Sequence, residues 1–282
     1  PGDFDAIAVG AANYTTRLVF AQMGTWQAAQ ASPGSGIPQT KLPMLHKAAV
    51  DKCDANDGAV DGVIQDPSRC QFDPGVLQCK SADGADCLTA EQVATARAVY
   101  AGVTDVRNGR RLGGGLYPGS ELGWSGASGQ PSSMAVDFFK YVVFKNPTWD
   151  PRTRPVNFDS DITLTEAPEI KALDISSALG EFVARGSKLV LYSGWADTAT
   201  SPQFSMDYYN DVLKIAGPTA RNGVRLFMVG GMGHCPGTTG ASAYDFDPLA
   251  LATTWKTTGR APDQFTAARY QNGKPDGTAL VC

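Results

Sequence analysis

Two residues in the back half of the chain have the types and placement for acyl-transfer chemistry. Asp197 ends the stretch KLVLYSGWAD, and His234 lies near the end of VRLFMVGGMGHC. Acyl transfer needs a nucleophile, a base to take its proton and an acid to fix the tautomer of that base. A carboxylate and an imidazole, each a few residues beyond an apolar run, suit the last two roles, because a rigid sheet aims its strand-end loops into one crevice. Gly194, Gly230, Gly231 and Gly233 permit tight turns beside them. Singly, Asp197 reads as a turn residue and His234 as a strand cap; in order and both at strand ends, they read as acid and base. The remaining histidine, His46, sits in a predicted helix near Lys41 and Lys47 and reads as part of a solvated face. A G-x-S-x-G turn would supply the nucleophile, yet no serine in the chain has glycine at both −2 and +2. Ser120, Ser125, Ser128 and Ser193 have Gly-rich surroundings, but none falls between a convincing strand and a helix.

A second constellation is the loop CDANDGAVDGVIQD, Cys53–Asp66. Asp54, Asp57 and Asp61, with Gly58 and Gly62 for sharp turns, concentrate the oxygen donors a hard cation prefers. The order is not that of an EF-hand, and a solvated acidic turn is the alternative. The six cysteines, Cys53, Cys70, Cys79, Cys87, Cys235 and Cys282, include no C-x-x-C and no histidine at zinc-finger spacing. They read as disulfide partners in an oxidising compartment, so the protein is expected to be secreted or periplasmic.

These residues need elements to hold them. Lys188–Tyr192 and Val224–Val229 are short runs rich in β-branched residues, each released into a Gly-rich turn, and Phe4–Gly10 is a third run of buried-strand type. Between the first two, Ser201 and Pro202 start an amphipathic helix that Gly217 and Pro218 stop. Thr89 and Gln92 form a capping box for a helix over Thr89–Gly102. Helices are also expected at Leu42–Lys52, Leu173–Arg185 and Asp247–Thr258, a covered apolar segment at Met134–Phe144, a polar loop over PGTTGASAYD and a last edge strand at Phe265–Tyr270. The fold class is therefore α/β. Domain limits are expected at 1–14 and 186–282 for the parallel core and 15–185 for an inserted domain. The net charge of −4, with 43% apolar and 18% charged residues, argues for a globular chain without nucleic acid or a membrane as its partner.

Strand, acid, helix, strand, histidine is the back half of an α/β-hydrolase site in the chain order Ser…Asp…His. KLVLYSGWADTATSPQFSMDYY and RLFMVGGMGHCPG, with CDANDGAVDGVIQD and YVVFKNPTWD, resemble the tannase and feruloyl esterase family of α/β-hydrolases. The opening PGDFDAIAVGAAN resembles the segment shortly after that family's nucleophile. The resemblance implies a partial α/β-hydrolase core with a large lid insertion, Asp197 and His234 as triad acid and base, and a serine upstream. It implies structural calcium held by Asp54, Asp57 and Asp61 and the carbonyls of Ala59 and Val63. It further implies disulfides Cys53–Cys70 and Cys79–Cys87, with Cys235 and Cys282 paired outside this sequence. A Cys235–Cys282 bridge is the lesser alternative.

The expected function is thus hydrolysis of a small aromatic ester, of feruloyl or galloyl type, with Tyr117 and Trp124 in the lid contacting substrate. Met134–Phe144 lacks an arginine to hold a terephthalate carboxylate. The nucleophile is expected from an N-terminal segment of the same precursor or from a separate chain, so the 282 residues alone should be inactive. The competing expectation is a calcium- and disulfide-stapled module that binds aromatic esters without turnover.

Overall fold

The computed structural model describes residues 2–109, 111–237, 243–271 and 273–282. The chain forms two compact units, one made of Pro1–Asn13 with Ile175–Cys282 and one of Tyr14–Asp174.

The first strand, β1 (Ala6–Gly10), belongs to the discontinuous unit. The continuous unit follows, with α1 (Thr15–Ala28), α2 (Leu42–Cys53), α3 (Ala90–Ala101), the small antiparallel pair β2 (Val103–Thr104) and β3 (Arg111–Gly113), α4 (Ser133–Asp137), α5 (Ser160–Thr165) and α6 (Pro168–Lys171). The capping box forms: the Thr89 side chain accepts from Gln92 N–H, and the Gln92 side chain accepts from Thr89 N–H. Gly102, at φ 75°, takes the backbone conformation that ends α3. The α4 helix runs on into a π-helical turn over Phe138–Val143. Ala135, Phe139 and Val143, spaced four apart along this segment, all reach the core. Two clusters fill this unit. Phe20, Met23 and Trp26 of α1 pack with Phe139, Trp149 and Ile162, while Leu45 of α2 packs with Leu88, Val93, Ala96 and Trp124. Each such side chain, fully buried, contributes roughly 1.5–3 kcal/mol.

Entry and exit of this unit are tied together. Thr16 donates its N–H and its hydroxyl to the two carboxylate oxygens of Asp174 at 2.9 and 2.8 Å, and Thr15 Oγ1 donates to Leu173 O at 3.1 Å. This clasp explains why the helix expected over Leu173–Arg185 is only α7 (Gly180–Ala184). Asp174 binds across to α1 rather than along a helix, and Ser176 O is taken by the Tyr208 hydroxyl.

The disulfides among the described residues are Cys53–Cys70 and Cys79–Cys87. The first closes a loop of 17 residues, so converting both of its cysteines to serine is expected to cost roughly 3 kcal/mol by loss of loop-closure entropy. Urea unfolding of the double variant should show that loss in the midpoint.

The chain then returns to the first unit through β4 (Lys188–Gly194), α8 (Pro202–Ala216), β5 (Val224–Val229), β6 (Ala243–Asp245), α9 (Pro248–Thr258), β7 (Phe265–Gln271) and β8 (Lys274–Val281). Strands β1, β4 and β5 form a parallel sheet in the order β1-β4-β5. Ser201 caps α8 by accepting from Gln203 N–H, and Asp247 caps α9 by accepting from Ala250 N–H. Val190, Phe227 and Val229 of the sheet pack with Trp255 of α9 and with Tyr244, Ala267 and Val281. Those last three lie on β6, β7 and β8, a separate antiparallel sheet in the order β6-β7-β8. The run at Phe265 is therefore the middle strand of a second sheet rather than an edge of the first. The polar loop expected over residues 236–245 lies partly outside the described residues, and its end forms β6.

Candidate active site at the ends of the parallel strands

The C-terminal ends of β4 and β5 are pulled together by their own backbones. Gly194 pairs with Val229 in the parallel register. Beyond it Trp195 N–H donates to Val229 O at 2.9 Å, and Ala196 N–H donates to Met232 O at 2.9 Å. The loops cross so closely that a Cβ on Gly194 would stand 2.1 Å from Met232 O and 2.2 Å from Gly233 O. Only glycine fits there. Gly231, at φ 68°, turns the second loop back toward the first.

This crossing delivers Asp197 and His234 to each other. Asp197 is fully buried, and its Oδ1 accepts from the N–H groups of Ala199 and Thr200, both at 2.9 Å. Its Oδ2 faces His234 Nδ1 at 2.8 Å. Three hydrogen bonds offset the cost of burying the carboxylate. The acceptor at Nδ1 favours the tautomer with its proton there and leaves Nε2 as the lone-pair nitrogen. The His234 side chain is 48% exposed, so that nitrogen can be reached. The hydrogen bond to Asp197 raises the His234 pKa above its ordinary value, partial burial opposes that, and the Asp197 charge adds to the rise. An oriented, basic imidazole with a free Nε2 can take a proton from a hydroxyl and return it to a leaving group.

His46 departs from the sequence expectation. Its side chain is 16% exposed, and its Nδ1 lies 2.9 Å from Oε2 of the fully buried Glu121. The acid is 75 residues away in the chain, so no local spacing could reveal the pair. It resembles the Asp197–His234 pair in distance, but its imidazole is far less accessible and it stands on a helix rather than at the ends of the parallel strands.

Trp124 is 1% exposed, packs edge-on to Tyr100 at 4.8 Å and donates its indole N–H to Ser120 Oγ at 2.9 Å. Such a ring offers no face to a ligand and serves the core of its unit. Tyr117 is half-buried. Ser193 is fully buried within β4 and Ser120 is 3% exposed, so neither presents its hydroxyl as a nucleophile. Cys235 follows His234 directly and is half-buried, while Cys282 is exposed beyond β8.

In the acidic loop, Asp54 is buried and accepts from the N–H groups of Asp61 and Gly62, at 3.3 and 3.0 Å. Asp57 accepts from Ala59 N–H at 2.8 Å, and Asp61 accepts from Val63 N–H at 3.2 Å. The buried Asp54 carboxylate is thus held by two backbone N–H groups with no cation beside it among the described residues. The hard oxygen donors of Asp54, Asp57 and Asp61 are of the type calcium prefers. Their carboxylates do not form a cluster: among the described residues, the group of ligand atoms within 4.8 Å of one another is Cys79, Asp83 and Cys87. The two sulfurs of that group are bonded to each other, so it has no thiolate to offer.

The sequence profile described as "Tannase and feruloyl esterase" matches residues 1–282. The chain belongs to the tannase and feruloyl esterase family. It is 33% identical over 320 residues to an esterase of Xanthomonas campestris pv. campestris, covering 98% of this chain and 56% of that protein. With feruloyl esterase C of Talaromyces stipitatus it shares 28% identity over 299 residues, covering 96% of this chain and 54% of the relative. The chain thus spans about half the length of the curated relatives it matches. The crystal structure of feruloyl esterase B from Aspergillus oryzae superimposes with a TM-score of 0.87 at 27% identity, over 100% of this chain and 60% of that one. Tannin acyl hydrolase from Aspergillus niger shares the fold, with a TM-score of 0.75 at 20% identity over 100% of this chain and 57% of that one. The fold is that of the α/β-hydrolases, here seen through its last parallel strands, the helices on them and a large insertion.

Proposed function

We propose that these 282 residues are the acid- and base-bearing part of a carboxylic ester hydrolase for phenolic esters of feruloyl or galloyl type. The observation that carries this reading is the contact of 2.8 Å between Asp197 and His234 at the strand ends. His234 Nε2 takes the proton of a serine hydroxyl as the oxygen attacks the ester carbonyl. The tetrahedral adduct collapses, the alcohol leaves with the proton from His234, and an acyl-serine remains. Water, deprotonated by His234, then releases the phenolic acid and regenerates the serine. Asp197 holds Nδ1–H throughout and stabilises the imidazolium between the two transfers. The serine is assigned to sequence outside these residues, because no serine within them has the G-x-S-x-G setting.

The continuous unit, Tyr14–Asp174, is assigned as the lid. Tyr117 is its substrate-facing aromatic, with Trp124 beneath in the core. Its two disulfides support folding in an oxidising compartment, secreted or periplasmic. Structural calcium is assigned to Asp54, Asp57 and Asp61 with the carbonyls of Ala59 and Val63, where it would neutralise the buried Asp54 and stiffen the loop. Removing it with a chelator should lower the thermal midpoint by several degrees. Added calcium should restore the midpoint, and magnesium should not, because magnesium prefers a small, rigid octahedral site. An unchanged midpoint would sink the calcium assignment.

Turnover tests the whole reading. The chain alone should not hydrolyse methyl ferulate or methyl gallate, whereas the full-length protein should, and a serine-directed phosphonate should label only the upstream segment. Binding of the ester by the full-length protein without turnover would favour a binding module. Labelling within the 282 residues would place the nucleophile there and overturn the assignment of the serine.

A further inference from the structure

Glu121 is fully buried and collects donors from three separate segments. Oε2 lies 2.9 Å from His46 Nδ1 on α2, and Oε1 accepts from the Tyr100 hydroxyl on α3 at 2.7 Å. The N–H of Gly119 lies 2.9 and 3.0 Å from the two oxygens. Two residues before Gly119 stands Tyr117, whose carbonyl accepts from Ser120 Oγ at 2.6 Å and from Ser120 N–H at 3.1 Å. The same Oγ takes the indole N–H of Trp124, and that ring in turn packs on Tyr100. The segment Tyr117–Trp124 is therefore fixed from beneath by one carboxylate that also holds two helices.

A core built for stability alone would favour an apolar residue here, because burying a charge costs more than its partners usually return. What a buried, fully hydrogen-bonded carboxylate supplies instead is directional definition of the groups around it. Here those groups are α2, α3 and the turn that carries Tyr117.

We propose that Glu121 is a positioning residue for substrate recognition: by clamping His46, Tyr100 and Gly119 together, it sets the Tyr117 ring against the aromatic acyl group. This rests on the assignment of Tyr117 to the substrate wall. Glu121 touches no reacting atom, and its effect passes through the turn. The amide of Glu121→Gln keeps the volume but puts a donor where the carboxylate accepted, so one of the three clamps must open.

The test is steady-state kinetics on methyl ferulate with the full-length enzyme, below the unfolding range of each variant. Glu121→Gln should raise KM about tenfold with kcat within about twofold of wild type. Tyr100→Phe, which keeps the charge and deletes one donor, should raise KM about threefold and guards against failure of the first variant to fold. Tyr117→Ala, measured in parallel, should raise KM at least as much as Glu121→Gln. If Tyr117→Ala raises KM while Glu121→Gln and Tyr100→Phe leave it unchanged, Glu121 is structural only and the proposal falls, though the role of Tyr117 stands. If Tyr117→Ala leaves KM unchanged, the substrate wall has been misplaced and the proposal falls with it.

Discussion

Replacing Asp197 by asparagine in the full-length enzyme is expected to lower kcat by roughly 10⁴-fold, about 5.5 kcal/mol of transition-state stabilisation, with KM little changed. The side chain keeps its shape and can still accept from the Ala199 and Thr200 N–H groups. It loses the charge and can turn an NH₂ toward His234, which favours the tautomer with the proton on Nε2. Nε2 then carries a proton where the proposed mechanism needs a lone pair. The pH profile carries an independent signature. Because the bond to Asp197 raises the His234 pKa, the wild-type acid limb should lie above the ordinary histidine value, and activity should fall as pH drops through it. In Asp197→Asn that limb should move down toward or below the ordinary value. Thermal stability is the poorer readout. A raised histidine pKa contributes stability that is present below the unfolded value and lost as pH rises through the folded one. With half of the His234 side chain in solvent, screening leaves little of that contribution. Residual activity within tenfold of wild type would mean that another group orients the base.

The second large effect concerns folding rather than chemistry. Gly194→Ala places a methyl group 2.1 and 2.2 Å from the Met232 and Gly233 carbonyl oxygens. Ordinary overpacking costs roughly 1–3 kcal/mol because side chains can turn aside. Here both clashing atoms are backbone, held in loops whose hydrogen bonds define the site, so the cost should exceed that range and most of the protein should fail to accumulate in soluble form. Gly180→Ala is the matching control. A Cβ at that position meets no atom within 4 Å, and alanine favours the short helix α7, so its thermal midpoint should stay level or rise. Equal soluble yields of the two variants would contradict the crossing of the loops described here.

Much of the helix and strand framework was legible because its signals are local. Ser201-Pro202 ahead of α8, Thr89 with Gln92 at α3, and Asp247 with Gly259 around α9 are each decided within one turn of helix, and the structure places the caps where the residue types put them. Asp197 and His234 are each placed by the apolar run before them, and the structure brings the two within 2.8 Å of each other. What local pattern cannot carry is partnership at a distance. Glu121 and His46 meet across 75 residues, and a histidine among lysines gave no hint of a buried carboxylate waiting for it. Trp124 failed for a related reason, since an aromatic in a Gly-rich stretch reads equally as a wall or as a core, and only the cluster around it decides. β8 was missed because KPDGTALV carries Pro, Asp and Gly, which strands disfavour. It forms as an exposed edge held by its pairing with β7.

The clasp between Thr16 and Asp174 has a bearing on how such proteins diversify. Where a long insertion leaves a sheet and returns with its two ends bonded to each other, the scaffold sees only a short gap between neighbouring chain ends, whatever lies beyond. The acidic loop and both disulfides lie between Thr16 and Asp174 and can be exchanged as a cassette, while Asp197 and His234 lie outside it. Changes inside the insertion then leave its two chain ends in place, and Thr16 and Asp174 are the natural graft points for chimaeras.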